Sequence, residues 1–117
     1  MVNLHRAADR QGMMLTCCLA AVRRGFPHVA LRDIIEPPHG WFDAMLARQI
    51  ALHLLECEFN VPRRRIAEMT NRQRGVIRAA MLSVDARLEC PVFAKAYARM
   101  ARRSHDLFFR EVRKAAA

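Results

Sequence analysis

Six arginines, Arg63, Arg64, Arg65, Arg72, Arg74 and Arg78, stand between Pro62 and Arg78 against a single acid, Glu68. The chemistry open to such a cluster is recognition of a polyanion. A guanidinium releases counterions from phosphates whatever the sequence, and it can grip guanine O6 and N7 with two hydrogen bonds. The other reactive residue types are placed less tellingly. Cysteines stand at positions 17, 18, 57 and 90 and form no CxxC pair, and adjacent Cys17 and Cys18 point in different directions on a helix. They read as reduced, buried thiols, with no zinc site and no disulfide framework. The five histidines are scattered, and His53, on the apolar flank of a predicted helix, reads as a packed side chain. Carboxylates are few and dispersed, so no catalytic pair stands out; neither an enzyme nor a cofactor is expected.

Length and charge agree with that reading. A chain of 117 residues suits one domain with a modest core. Of its 20 basic residues only Lys95 and Lys114 are lysine, and a net charge of +9 makes polyanions the expected partners. No run of apolar residues is long enough for a membrane span, and the opening MVNLHRAADR lacks the apolar core of a secretory signal, so a cytoplasmic, nucleoid-associated protein is expected.

The elements that must hold the arginines are helical. Apolar residues recur at three and four, and β-branched residues do not alternate, which predicts an all-α helical bundle. A first helix fits residues 6–24, with Met14, Leu15, Cys18, Leu19 and Val22 inward and Gly25 as a left-handed stop. LRDII is a helical turn at most, and Pro37, Pro38, His39 and Gly40 make a loop. The helix 42–58 puts Leu46, Ile50, His53, Leu54 and Cys57 on one stripe and is the expected central packing element. Asn60 is the expected cap, and Pro62 the first turn, of a helix 62–69. Thr70 and Asn71 supply a turn, and Asn71 caps a helix from Arg72 to about Leu88.

In that last helix Ile77, Met81, Val84 and Leu88 repeat at four, three and four and face the core. At roughly 100° per residue, Gly75 and Ala79 then point outward, flanked by Arg72 and Val76 on one side and by Arg74 and Arg78 on the other. A recognition helix has this form: small residues let the backbone approach base edges, arginine reads guanine, and Val76 can meet a thymine methyl. Residues 62–88 therefore read as a helix-turn-helix, with Arg63, Arg64 and Arg65 on the phosphate backbone. The expected DNA contacts are Arg48, Arg63, Arg64, Arg65, Asn71, Arg72, Gln73, Arg74, Gly75, Val76, Arg78 and Ala79. For Arg48, a surface ion pair with Asp43 or Glu56 is the alternative.

The register of RQIALHLL followed by RRRIAEM resembles the C-terminal DNA-binding domain of the bacterial replication initiator DnaA, over roughly Met14 to Met100. The resemblance implies that Arg48 enters the minor groove and that Ile66, Ala67 and Met69 belong to the first helix of the pair. The family's G-x-R-D-H-T-T-V pattern meets TNRQRGVI only at Arg72 and Ile77, where Gln73, Arg74, Gly75 and Val76 replace its base-reading residues, so a different target sequence is implied. No GxxxxGK[ST] occurs, so no ATP-driven initiator is expected. Stand-alone domains of this kind resemble the activators of gene transfer agents (the GafA and GafY type), which implies promoter binding with a polymerase-contacting partner.

Pro91 opens a basic C-terminal helix, 91–114, in which Phe93, Tyr97 and Met100 form a core stripe. Further on, Phe108 and Phe109 lie among arginines; continuation of the core helix and a homodimer or partner-docking segment are both open for them. A DNA-binding transcription regulator is the leading expectation. A replication-control or origin-binding factor, and a basic adaptor for RNA or an acidic protein, are the alternatives.

Overall fold

The computed structural model describes residues 3–117 as six helices, α1 (Ala7–Gly25), α2 (Leu31–Ile35), α3 (Phe42–Cys57), α4 (Arg63–Thr70), α5 (Arg74–Arg87) and α6 (Pro91–Ala116), with no strand among them. The all-α expectation holds. Helix α3 lies at the centre, packed against α1, α2, α4 and α5, while α6 lies along α1. Six consecutive α3 residues, Ile50 through Leu55, are buried. No amphipathic stripe gives that pattern; it requires neighbours on every side of the helix. Ala44, Ala47 and Ala51 add three small buried side chains that let the neighbours come close. Into this centre the other elements send Cys18 and Val22 from α1, Ile34 from α2, Ile66 from α4, Ile77, Met81 and Val84 from α5, and Tyr97 and Met100 from α6. Each fully buried Leu, Ile, Val or Met contributes roughly 1.5–3 kcal/mol through removal of apolar surface from water.

Helix ends depart from the sequence reading at three places. Gly25 is not a left-handed stop: α1 runs through it and ends as the Phe26 N–H turns back to the Arg23 carbonyl. The glycine serves packing instead, because a Cβ there would stand 3.2 Å from Met100 Sδ of α6. Asn60 does not cap α4. It takes the left-handed conformation (φ 57°) and closes α3, with its N–H on the Glu56 carbonyl, and the extended Pro62 becomes the residue before α4. Asn71 likewise ends α4 and does not start α5. At φ 52° it forms a Schellman closure, its own N–H on the Glu68 carbonyl and the Arg72 N–H on the Ala67 carbonyl. The extended Gln73 precedes α5, so Arg72 lies in the connection and not in a helix. In all three cases asparagine's tolerance of positive φ, or glycine's lack of a side chain, serves a use other than the expected one.

The C-terminal segment is one continuous helix of 26 residues. Phe108 packs edge-on against Phe59 with ring centroids 5.4 Å apart, whereas Phe109 is 55% exposed. His105 reaches the Glu58 carboxylate at 3.0 Å and lies over Phe59. The far half of α6 thus continues the packing of the near half along one side only.

Burial of all four thiols is also corrected. Cys17 and Cys18 are buried, but Cys57 and Cys90 are exposed. Cys57 falls off the α3 stripe because it ends that helix, at an edge where Glu56, Glu58, Asp85 and Arg63 gather. Cys90 is the residue before α6, where the Phe93 and Val92 N–H groups stabilise its thiolate and lower its pKa. Burial raises the Cys17 thiol to about 11 and raises Cys18 further. A lowered pKa means more thiolate near neutral pH. Iodoacetamide is therefore expected to alkylate Cys90 first and Cys57 more slowly, with Cys17 and Cys18 reacting only on unfolding. Peptide mapping over a time course checks the order, and early modification of Cys18 would contradict the packing of α1.

Candidate nucleic-acid interface

Helices α4 and α5 pack on each other and are joined by the three residues 71–73. Burial of Ile77, Ala80, Met81 and Val84 turns one side of α5 to the core. The opposite side presents Arg74, Gly75, Val76, Arg78 and Ala79, all exposed. A Cβ built on Gly75 meets no atom within 4 Å, so nothing inside the protein requires glycine there. The same face continues through a residue that the sequence reading left out. Leu82, 58% exposed, follows Gly75 and Ala79 at helical spacing, so a strip of small and apolar side chains runs along the outside of α5. Extending the outward face by one more turn would have found it. The start of α5, like those of the other helices, has no side-chain cap, and its Val76 and Ile77 N–H groups turn back to the Gln73 carbonyl.

The arginines divide by what they touch. Arg74 and Arg78 form no ion pair and no side-chain hydrogen bond among the described residues. Arg63 Nε donates to Glu56 at 2.6 Å. Arg64 stands 3.9 Å from Glu68, a separation at which an exposed pair contributes little. Arg65 turns inward and donates to Gln11 of α1 at 2.8 Å, with Glu68 at 3.7 Å. Of the Arg63–Arg65 triplet only Arg64 is therefore close to a freely solvated charge. Arg72, in the connection, donates to Glu36 at 2.7 Å, a partner 36 residues away that no local pattern indicates.

Arg48 forms neither of the surface pairs considered for it, since Asp43 binds His28 and Glu56 binds Arg63. It is half-buried between α2 and α4, in a hollow lined by Leu15, Ile35, Glu36 and Met69. Burial first, and then the charge of Arg72, lower its pKa, and Glu36 opposes that effect. Arg48, Arg72 and Glu36 thus form one mixed-charge group at the edge of the α5 face. Asn71 and Gln73 are exposed beside it.

The structure also joins a cysteine, a histidine and an acid that the sequence did not pair. His53 is buried in α3, its Nε2 is 2.7 Å from Asp85 of α5, and its Nδ1 is 2.6 Å from the Tyr97 hydroxyl of α6. A carboxylate can only accept, so Nε2 carries a hydrogen toward Asp85, while Nδ1 and the tyrosine hydroxyl share the second hydrogen bond. Cys57 Sγ lies 3.8 Å from the same Nε2 that faces Asp85. A nucleophilic triad needs thiol and carboxylate on opposite ring nitrogens. Burial and the neighbouring carboxylates of Glu56, Asp85 and Glu58 moreover raise the Cys57 pKa, which disfavours the thiolate. This geometry fastens α5 and α6 to α3.

No protein-family model, curated protein or solved structure matches the chain. Tyr97→Phe, which leaves the buried Nδ1 without its hydrogen-bond partner, is expected to destabilise the fold by about 1–3 kcal/mol. Urea unfolding followed by circular dichroism checks this, and a loss below about 0.5 kcal/mol would show that the hydroxyl does not hold α6 in place.

Proposed function

We propose that the chain is a sequence-specific double-stranded-DNA-binding regulator of transcription, with α4 and α5 as a helix-turn-helix and α5 as the recognition helix. The exposed face of α5 carries this reading: unpaired Arg74 and Arg78 flank a strip of Gly75, Ala79 and Leu82 that the fold itself does not need. A polypeptide with a net charge of +9 that leaves these two guanidinium groups free has a surface suited to a polyanion. The small residues between them add what a phosphate contact alone does not require, which is room for the helix backbone to approach base edges. The three-residue connection between α4 and α5 suits that mode of docking.

In this reading Arg74 and Arg78 read bases, Val76 and Leu82 meet thymine methyls, and Arg64 touches the backbone. Arg48 enters the minor groove, as the likeness to the initiator's DNA-binding domain implies, with Arg72 beside it at the edge of the α5 face. The chain carries no GxxxxGK[ST] pattern, and the role that fits is promoter recognition beside a polymerase-contacting partner, as in activators of gene transfer agents.

Selection of duplexes from a random library, with titration of the enriched sequence across a range of salt, tests the reading. A specific regulator prefers its site by roughly 10³-fold or more. Arg78→Ala is expected to cost about 1–3 kcal/mol on the preferred site and to relax its selectivity, whereas Arg64→Ala weakens all sequences alike. Equal, unselective losses at both positions would remove the recognition-helix assignment. Gly75→Ala separates folding from binding: it is expected to stabilise the helix by up to about 1 kcal/mol and to weaken DNA binding at the same time. Unchanged affinity in the stabilised variant would show that no base edge approaches this position.

A further inference from the structure

A second basic surface lies away from α4 and α5 and shares no residue with them. Where α1 ends against the middle of α6, two cavities of about 390 Å³ and 420 Å³ adjoin, and Arg24 and Arg103 line both. The first continues onto an apolar floor that includes Leu46, Phe93 and Met100, and the second onto Pro27 and Leu31, which is itself exposed. Arg99 stands one turn before Arg103 on α6, and Arg23 borders the second cavity. No acid lines either cavity, and none of these four arginines takes part in an ion pair among the described residues. Arg103 Nε is moreover buried with no hydrogen-bond partner, a state that is costly for a charged donor and that an incoming acceptor relieves.

From these features we infer that the cleft docks an acidic peptide segment of a partner protein, with carboxylates on Arg24, Arg99 and Arg103 and a bulky apolar side chain in each flanking hollow. The order along the cleft, apolar, basic, apolar, is what distinguishes this occupant. A phosphodiester backbone would meet the arginines but has nothing to place in the two apolar hollows. A purely apolar ligand would leave the arginines and the buried Nε unanswered. Arginines beside aromatic and aliphatic hollows are also the composition at which binding energy concentrates in protein interfaces. The negative end of the α1 dipole holds Arg23 and Arg24 at the rim without neutralising them.

A display selection of short random peptides on the immobilised full chain tests this, followed by anisotropy titration of the enriched peptides. The expected winners carry clustered Asp or Glu between bulky apolar residues. They lose affinity roughly tenfold or more on the Arg24→Gln, Arg99→Gln double variant, and likewise when their acids are replaced by the matching amides. Arg24 and Arg99 are exposed, so this variant leaves the core intact; Arg103→Gln is the deeper probe, read only where circular dichroism shows native helicity. Enrichment of neutral or basic peptides, affinity unchanged in the double variant, or no enrichment would each overturn the assignment. Loss of duplex-DNA affinity in the double variant equal to that in Arg78→Ala, with peptide displaced by duplex, would make the cleft a second DNA contact instead.

Discussion

A helix without a water-facing side dictates what surrounds it, and α3 is such a helix over Ile50–Leu55. Its neighbours α1, α2, α4 and α5 are its cover, each giving one apolar side to the task and keeping the other for solvent. The orientation of α5 follows directly. Once Ile77, Met81 and Val84 are spent on covering α3, the residues between them have nowhere to point but outward. His53 is a polar side chain inside this core, and its two ring nitrogens bind the flanking helices by hydrogen bonds that apolar packing could not direct. Hydrophobic burial brings the helices together; the imidazole contributes to the register in which α5 and α6 meet α3.

Periodicity made much of this legible beforehand. Five of the six helical segments, the inward Ile77, Met81 and Val84 of α5 and the exposure of Arg74, Gly75, Val76, Arg78 and Ala79 follow from spacing, whereas LRDII forms a short helix of its own and Leu88 falls half-buried just past the end of α5. Element ends were less legible because asparagine has two uses that sequence does not separate: its side chain can cap a helix start, and its backbone tolerates the left-handed turn that closes one. Asn60 and Asn71 both took the second. The partners of Arg65, Arg72 and Arg48 were beyond local reading, since Gln11 and Glu36 come from distant segments that only the packed fold brings near. The same holds for the cleft of Arg24, Arg99 and Arg103, whose residues belong to opposite ends of the chain.

The arginines therefore divide into three kinds that composition alone blends together. Arg63, Arg65 and Arg72 are tied to carboxylates or amides of the same chain. Arg74 and Arg78 stand unpaired on the outer face of α5, and Arg24, Arg99 and Arg103 stand unpaired around a partly apolar cleft. The two unpaired sets differ in character, one beside small residues and one interrupted by apolar hollows, and the helical frame separates them.

Glu36, reaching Arg72 at 2.7 Å beside Arg48, is a counterion fixed to the chain. Mobile salt ions gain entropy when a polyanion displaces them, but a tethered carboxylate has no solution to escape into. At this edge of the surface the arginines counted in the sequence thus overstate the thermodynamic charge. The ionic-strength dependence of any complex formed there will report fewer released ions than the number of guanidinium groups in contact.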